Sequence, residues 1–165
     1  MKAYADTNFL ARIYLEQLDN SENDRLLEEV RAGVLAPLPI TWLLQIEFTC
    51  ALELYIYCGS QGQQPRITRE QAAVAHADFE ADLKDGLIYR VEELEKPQLI
   101  RQAGTLARRH TAKHGSRTYD LIHVASALEL GCTSFWTFDR RAAALAEREG
   151  LKVPARLKTA MKKLA

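Results

Sequence analysis

Lys2-Ala3-Tyr4-Ala5-Asp6 opens the chain as a short extended segment that ends on a carboxylate, and a helical pattern starts just beyond it at Asn8. The same order returns late in the sequence. Ser134-Phe135-Trp136-Thr137-Phe138 leads to Asp139, and a helix then runs to Glu149 and stops at Gly150. Strands separated by helices imply crossover connections, and crossovers imply a parallel sheet covered on both faces. The expected fold is therefore α/β: three layers, α/β/α, around a central, mostly parallel sheet of four to five short strands.

The intervening segments fit this frame. Helices are expected over residues 8–18 and 21–31. Ser21 suits the N-cap of the second, Glu22 and Asp24 its first turn, and Gly33 its stop. Residues 34–40 read as a strand that Pro37 and Pro39 restrict to an edge or a short length. Thr41 caps a long apolar helix to about Tyr57, and a loop covers 59–65. Thr68 with Gln71 forms a capping box for a helix ending near Gly86. A strand is expected over 87–91, then helices over about 98–113 and 118–130, stopped by Gly115 and Gly131. Val153 is expected in a last short strand, followed by a basic helical tail after Pro154.

At 165 residues with 47% hydrophobic content, the chain suits one domain over residues 1–165. A domain of this size buries roughly 68–70% of its unfolded surface and needs no disulfide to fold. Cys50, Cys58 and Cys132 are odd in number, lack CxxC spacing and read as small core or helix residues. No apolar run is long enough to span a bilayer, and Asp6 falls where a signal peptide would be apolar, so a cytoplasmic protein with no membrane partner is expected. The net charge of zero hides an asymmetry. Residues 1–95 carry 8 Lys+Arg against 17 Asp+Glu, and residues 96–165 carry 14 against 5. Two arrangements fit: a basic face for a polyanion, or halves that fold together and intermix their charges.

Four carboxylates stand out. Asp6 and Asp139 each follow a strand and precede a helix, and Asp120 lies in a helix first turn. Taken singly, each of the three reads as a cap or a dipole partner. Glu47 differs, because its helical neighbours Leu43, Leu44, Cys50 and Ala51 place it on an apolar face. A carboxylate there is costly unless paired or bound to metal. In open parallel sheets, sites form at the carboxyl ends of the strands. If the strands before Asp6 and Asp139 are neighbours, those side chains meet, and Asp120 and Glu47 can complete a ring. Hard oxygen ligands without Cys or paired His select magnesium or manganese, which activate water and neutralise a phosphodiester.

These residues also carry a family resemblance over almost the whole chain. Tyr4-Ala5-Asp6-Thr7-Asn8-Phe9-Leu10 resembles the first motif of PIN-domain nucleases, and Glu47 matches their second acid. Asp120-Leu-Ile-His-Val-Ala-Ser-Ala-Leu-Glu-Leu-Gly131 is similar to the third motif, and Phe135-Trp-Thr-Phe-Asp139 to the fourth. Within that superfamily the length and layout resemble the VapC toxins of bacterial toxin–antitoxin pairs. The resemblance implies a PIN-like, metal-dependent endoribonuclease, a homodimer neutralised by a small cognate antitoxin. It implies Asp6 and Asp120 as principal metal ligands, with Glu47 and Asp139 completing the acidic pocket. Thr7, Asn8 and Thr137 would support them by hydrogen bonding. An insert around residues 58–66 departs from the family layout.

Other signals are weaker. His110 and His114, amid Arg108, Arg109 and Lys113, read as a solvated basic face, and His123 as a helix-packing residue. At least one of Arg140 and Arg141 is expected to meet substrate phosphate. Trp42, Tyr55 and Tyr57 exceed what one small sheet needs to cover and point to the dimer. A phosphotransferase that starts from an aspartate after the first strand needs a second aspartate two residues on, and this chain has Asn8 there. No Walker A or GxGxxG pattern is present. Two alternatives to a toxin stay open: an RNA-processing nuclease of the same fold, and a module that binds RNA or protein without cutting.

Overall fold

Among the described residues every strand is three residues long, and every strand pairs in parallel with one other. In the computed structural model, which describes residues 1–15, 21–64 and 66–163, the order is β1 (Ala3–Ala5), α1 (Thr7–Tyr14), α2 (Ser21–Arg31), β2 (Leu38–Ile40), α3 (Trp42–Ser60) and α4 (Arg69–Asp85). It continues with β3 (Tyr89–Val91), α5 (Lys96–His114), α6 (Thr118–Glu129), β4 (Ser134–Trp136), α7 (Arg140–Arg148) and α8 (Ala155–Lys163). Helices separate nearly all the strands and the pairing is parallel throughout, so the α/β class holds. Among the described residues the strands form two two-stranded ladders rather than one run of four or five. The chain divides into two compact units, one of Met1–Asp6 with Glu92–Ala165 and one of Thr7–Val91.

In the first unit β1 lies on β4 with Ala3 opposite Ser134 and Ala5 opposite Trp136. Tyr4, Phe135 and Trp136 are fully buried, and Tyr4 stacks on Phe135 with centroids 5.7 Å apart. The last strand expected at Val153 is a single bridge, made one residue earlier by Lys152 to Ser134. α5 packs on α6 and α6 on α7. α5 ends at Gly115, whose φ of 64° is a left-handed conformation that side chains resist.

In the second unit β2 lies on β3 with Leu38 opposite Tyr89. The strand expected over 34–40 shortens to its last three residues. The pairing starts with Leu38 N donating to Ile88 O at 2.8 Å, and Pro39 sits within the strand at a position whose nitrogen faces away from β3. Thr41 caps α3 by accepting from Leu44 N, and Thr68 and Gln71 exchange both bonds of the capping box of α4. α1 is described to Tyr14 and the coil residue Leu15, so the helix expected to Leu18 runs beyond the described residues. Phe48 and Phe79 sit 4.5 Å apart at the centre of an aromatic cluster. Tyr14 joins it, and its hydroxyl donates to Asp82 Oδ2 at 2.7 Å and lies 3.0 Å from the Tyr89 hydroxyl. Burial holds both phenols well above the usual tyrosine range.

Candidate active site

The first unit gathers three of the four expected acids. Because Ala5 is opposite Trp136, the next residues on the two strands, Asp6 and Thr137, leave the sheet side by side. Asp6 N donates to Trp136 O at 3.0 Å, continuing the ladder one step past β1. The Thr137 hydroxyl then donates to Asp6 Oδ2 at 2.5 Å and accepts from Asp139 N at 2.8 Å. β4 ends at Trp136, short of the expected Phe138. One hydroxyl thus fixes two acidic positions across the two strand ends. Asp6 and Thr137 are both buried.

Asp139 keeps the capping role that its position alone suggests. Its Oδ1 accepts from Arg141 N at 2.6 Å and Ala142 N at 3.2 Å, where the N-terminal dipole of α7 favours negative charge. Asp120 is in the first turn of α6 and half-buried, and its Oδ2 is buried without a hydrogen-bond partner. Burial raises its carboxyl above the usual aspartate range, and the charge of Asp139 raises it further. A backbone bond and the charge of Arg117 oppose that rise, as does His123. Asp120 and Asp139 therefore interact as like charges, and the donor atoms of the set are all hard oxygens. An orphaned carboxylate oxygen beside a second carboxylate is the chemistry a divalent cation resolves. Among the described residues no three His, Cys, Asp or Glu side chains are already grouped as a metal sphere. Asp6 and Asp139 are each bonded inside the polypeptide, and unscreened carboxylates repel.

Glu47 belongs to the second unit, on α3. It is half-buried, and its Oε2 accepts from Thr7 Oγ1 at 2.7 Å. Thr7 thus bonds one of the expected acids. Asn8 is exposed. Arg140 donates to Met161 O at 2.9 Å and so ties α7 to α8, which leaves Arg141, exposed at the start of α7, as the free candidate for phosphate. His123 is buried against the sheet, its Nδ1 3.0 Å from the Tyr4 hydroxyl, in the packing role expected of it.

His110 departs from the expectation. It is buried, not solvated, and its Nε2 lies 2.6 Å from Glu149 Oε1. Arg109 donates to both oxygens of the same carboxylate at 2.8 Å. His114, one turn on, is exposed and stacks beside His110 with centroids 5.8 Å apart. Surrounding Arg and Lys residues suggest a wet face, but Glu149 is 39 residues away in sequence and reaches α5 only once the helices pack.

Residues 3–148 match the family model of the PIN domain. The chain belongs to the PIN domain family. PIN domains are generally nucleases, and nucleases of this fold typically use divalent metal. The crystal structure of PAE2754 from Pyrobaculum aerophilum is similar to this chain with a TM-score of 0.58 at 17% identity, covering 99% of this chain and 95% of that one. At that identity the likeness speaks to the fold alone. No sequence among the curated proteins matches the chain. No helix among the described residues is long and apolar enough to cross a membrane.

Proposed function

We propose that this PIN domain is a magnesium- or manganese-dependent endoribonuclease that cuts RNA phosphodiester bonds in the cytoplasm, as the toxin of a toxin–antitoxin pair. The observation that carries the nuclease reading is the buried, unpartnered Oδ2 of Asp120 with Asp139 near enough to raise its carboxyl. Asp6, Asp120 and Asp139 would hold the metal, and the sequence pattern of the family assigns Glu47 to the same set of acids. A bound ion of this kind acidifies water and offsets the charge that builds on the phosphodiester. The chain supplies the rest. Thr137 holds Asp6 in one orientation and anchors the Asp139 backbone with the same hydroxyl. Burial and Asp139 raise the Asp120 carboxyl, and a cation held beside it would favour its charged form. Arg141, exposed at the start of α7, would take substrate phosphate.

The toxin assignment rests on length and motif layout, which resemble VapC toxins, and it brings a small cognate antitoxin as partner. The nuclease test is paired: RNA cleavage with magnesium or manganese, and RNA binding in chelator, for wild type and Asp6→Asn. Asn keeps the size of Asp and one carbonyl oxygen but loses the charge that draws magnesium out of water. Cleavage should vanish while binding, which comes from Lys and Arg, persists. Undiminished cleavage by Asp6→Asn would reduce Asp6 to a structural residue. Growth arrest on expression, relieved by co-expressing any small reading frame found beside the gene, tests the toxin role. Expression without arrest would favour an RNA-processing nuclease.

A further inference from the structure

The aromatic residues of the first unit are Tyr4, Tyr119, Phe135, Trp136 and Phe138. All are buried in its core except Tyr119, which is 59% exposed. Among the described residues the Tyr119 side chain makes no hydrogen bond, ring contact or ion pair. It occupies the second position of α6, where folding gains little from an aromatic ring. An acid suits the helix dipole there, and Tyr is only a moderate helix former. A single exposed aromatic is ordinary on a protein surface. What sets Tyr119 apart is its surroundings.

Tyr119 directly precedes Asp120, the acid with the unpartnered oxygen. Helical side chains lean towards the N-terminus of their helix, so from the second position the ring reaches past the first turn of α6. A backbone bond from Arg117 draws the Asp120 carboxyl to the same end. Adjacent Cα atoms are about 3.8 Å apart, so ring and carboxyl border one small region of surface. Exposed cations border it too. Arg117 precedes α6 and its charge acts on Asp120, and Arg141 opens α7 just after Asp139. Cations with an interleaved aromatic hold unpaired nucleotides: the cations meet phosphates and the ring takes the face of a base. The bases of a duplex are already stacked on one another and leave such a ring nothing to take. Acids and metal alone would meet a phosphodiester in either form. The ring introduces a preference.

We infer that Tyr119 is a base-stacking platform: an unpaired RNA base lies on its ring, Arg117 and Arg141 meet the neighbouring phosphates, and the next phosphodiester comes to Asp120 and Asp139. The substrate class is then single-stranded RNA, with duplex disfavoured. This rests on the nuclease reading for its purpose, but its test needs no cleavage. Binding is measured in chelator, with a single-stranded oligoadenylate carrying 2-aminopurine and with an RNA duplex. Wild type should prefer the single strand and quench its 2-aminopurine as the base stacks. Tyr119→Ala and Tyr119→Leu should lose about 5–150-fold in single-strand affinity, the range for removing one stacking ring, and should lose the quench. Tyr119→Phe and Tyr119→Trp should keep both. Duplex affinity and the salt dependence of binding should be unchanged in all Tyr119 variants, since no phosphate contact is lost. Arg117→Gln should instead weaken binding of both RNAs and lower the salt slope by about 1. Melting of the Tyr119 variants should stay that of wild type, because the side chain is exposed. Single-strand binding by Tyr119→Ala equal to wild type, Leu serving as well as Phe, or equal losses on single strand and duplex would overturn the inference. So would a wild type without preference for the single strand. A wild type that passes these tests but cleaves no RNA would overturn the nuclease reading and leave the platform standing.

Discussion

Two carboxylates of the same unit meet opposite surroundings. Glu149 closes α7 beside α5, where Arg109 bonds both of its oxygens and His110 bonds one. Burial pushes its carboxyl up, but the bonds from His110 and Arg109 outweigh burial and hold it below the usual range. Asp120 opens α6, with burial and Asp139 both raising it and one oxygen unpartnered. A fold that can supply one carboxylate with three bonds leaves the other in deficit. The satisfied acid works for the fold. The unsatisfied one is kept at a cost in stability, as functional groups are.

Exchanging each acid for its amide should separate the two roles. The largest effect is expected on activity. Asp120→Asn should lower metal-dependent RNA cleavage at least about 100-fold, whereas Glu149→Gln should leave cleavage per folded molecule unchanged. Rates normalised to folded protein check this, and equal losses in the two variants would erase the distinction. Next in size is Thr137→Val, which keeps the shape but removes both bonds that orient Asp6 and Asp139. A loss of about 10–100-fold is expected, the usual effect of removing a group that positions a ligand, with rescue by Thr137→Ser. Failure of Ser to rescue would show that the methyl group, not the hydroxyl, matters.

The stability effects should run the other way. Glu149→Gln should cost about 1–3 kcal/mol at neutral pH, the range for bonds to a charged group. Because the folded carboxyl is depressed, its contribution is complete above the unfolded value of 4.5 and fades as pH falls through the folded value. Asp120→Asn should raise the melting temperature. The folded carboxyl is raised, so its penalty is complete above the folded value and disappears below the unfolded 3.8. Melting curves at neutral and acid pH test both signs, and a drop in melting temperature for Asp120→Asn would mean the carboxylate is satisfied after all.

Local chemistry in the sequence anticipates most of the architecture. Thr41, the Thr68 and Gln71 box, and the stops at Gly86 and Gly115 act within a few residues of themselves, so their roles survive folding. Strand lengths did not follow from the sequence. Apolar character continues through residues 34–37 and through Phe138, but the ladders begin only at Leu38 and end at Trp136. The candidate site divides in the same way. Asp6, Asp120 and Asp139 are marked by their places on strand ends and a helix turn. The bond from Thr137 to Asp6 spans 131 residues and the pairing of His110 with Glu149 spans 39, and both exist only after packing.

The central claim is that the acids of the first unit form a cation site organised around Asp120. Manganese binding, followed by electron paramagnetic resonance on wild type, Asp120→Asn and Glu149→Gln, addresses it without any RNA. Wild type and Glu149→Gln should bind alike, and Asp120→Asn should lose most of the affinity. Equal binding by wild type and Asp120→Asn, or a loss confined to Glu149→Gln, would contradict the account.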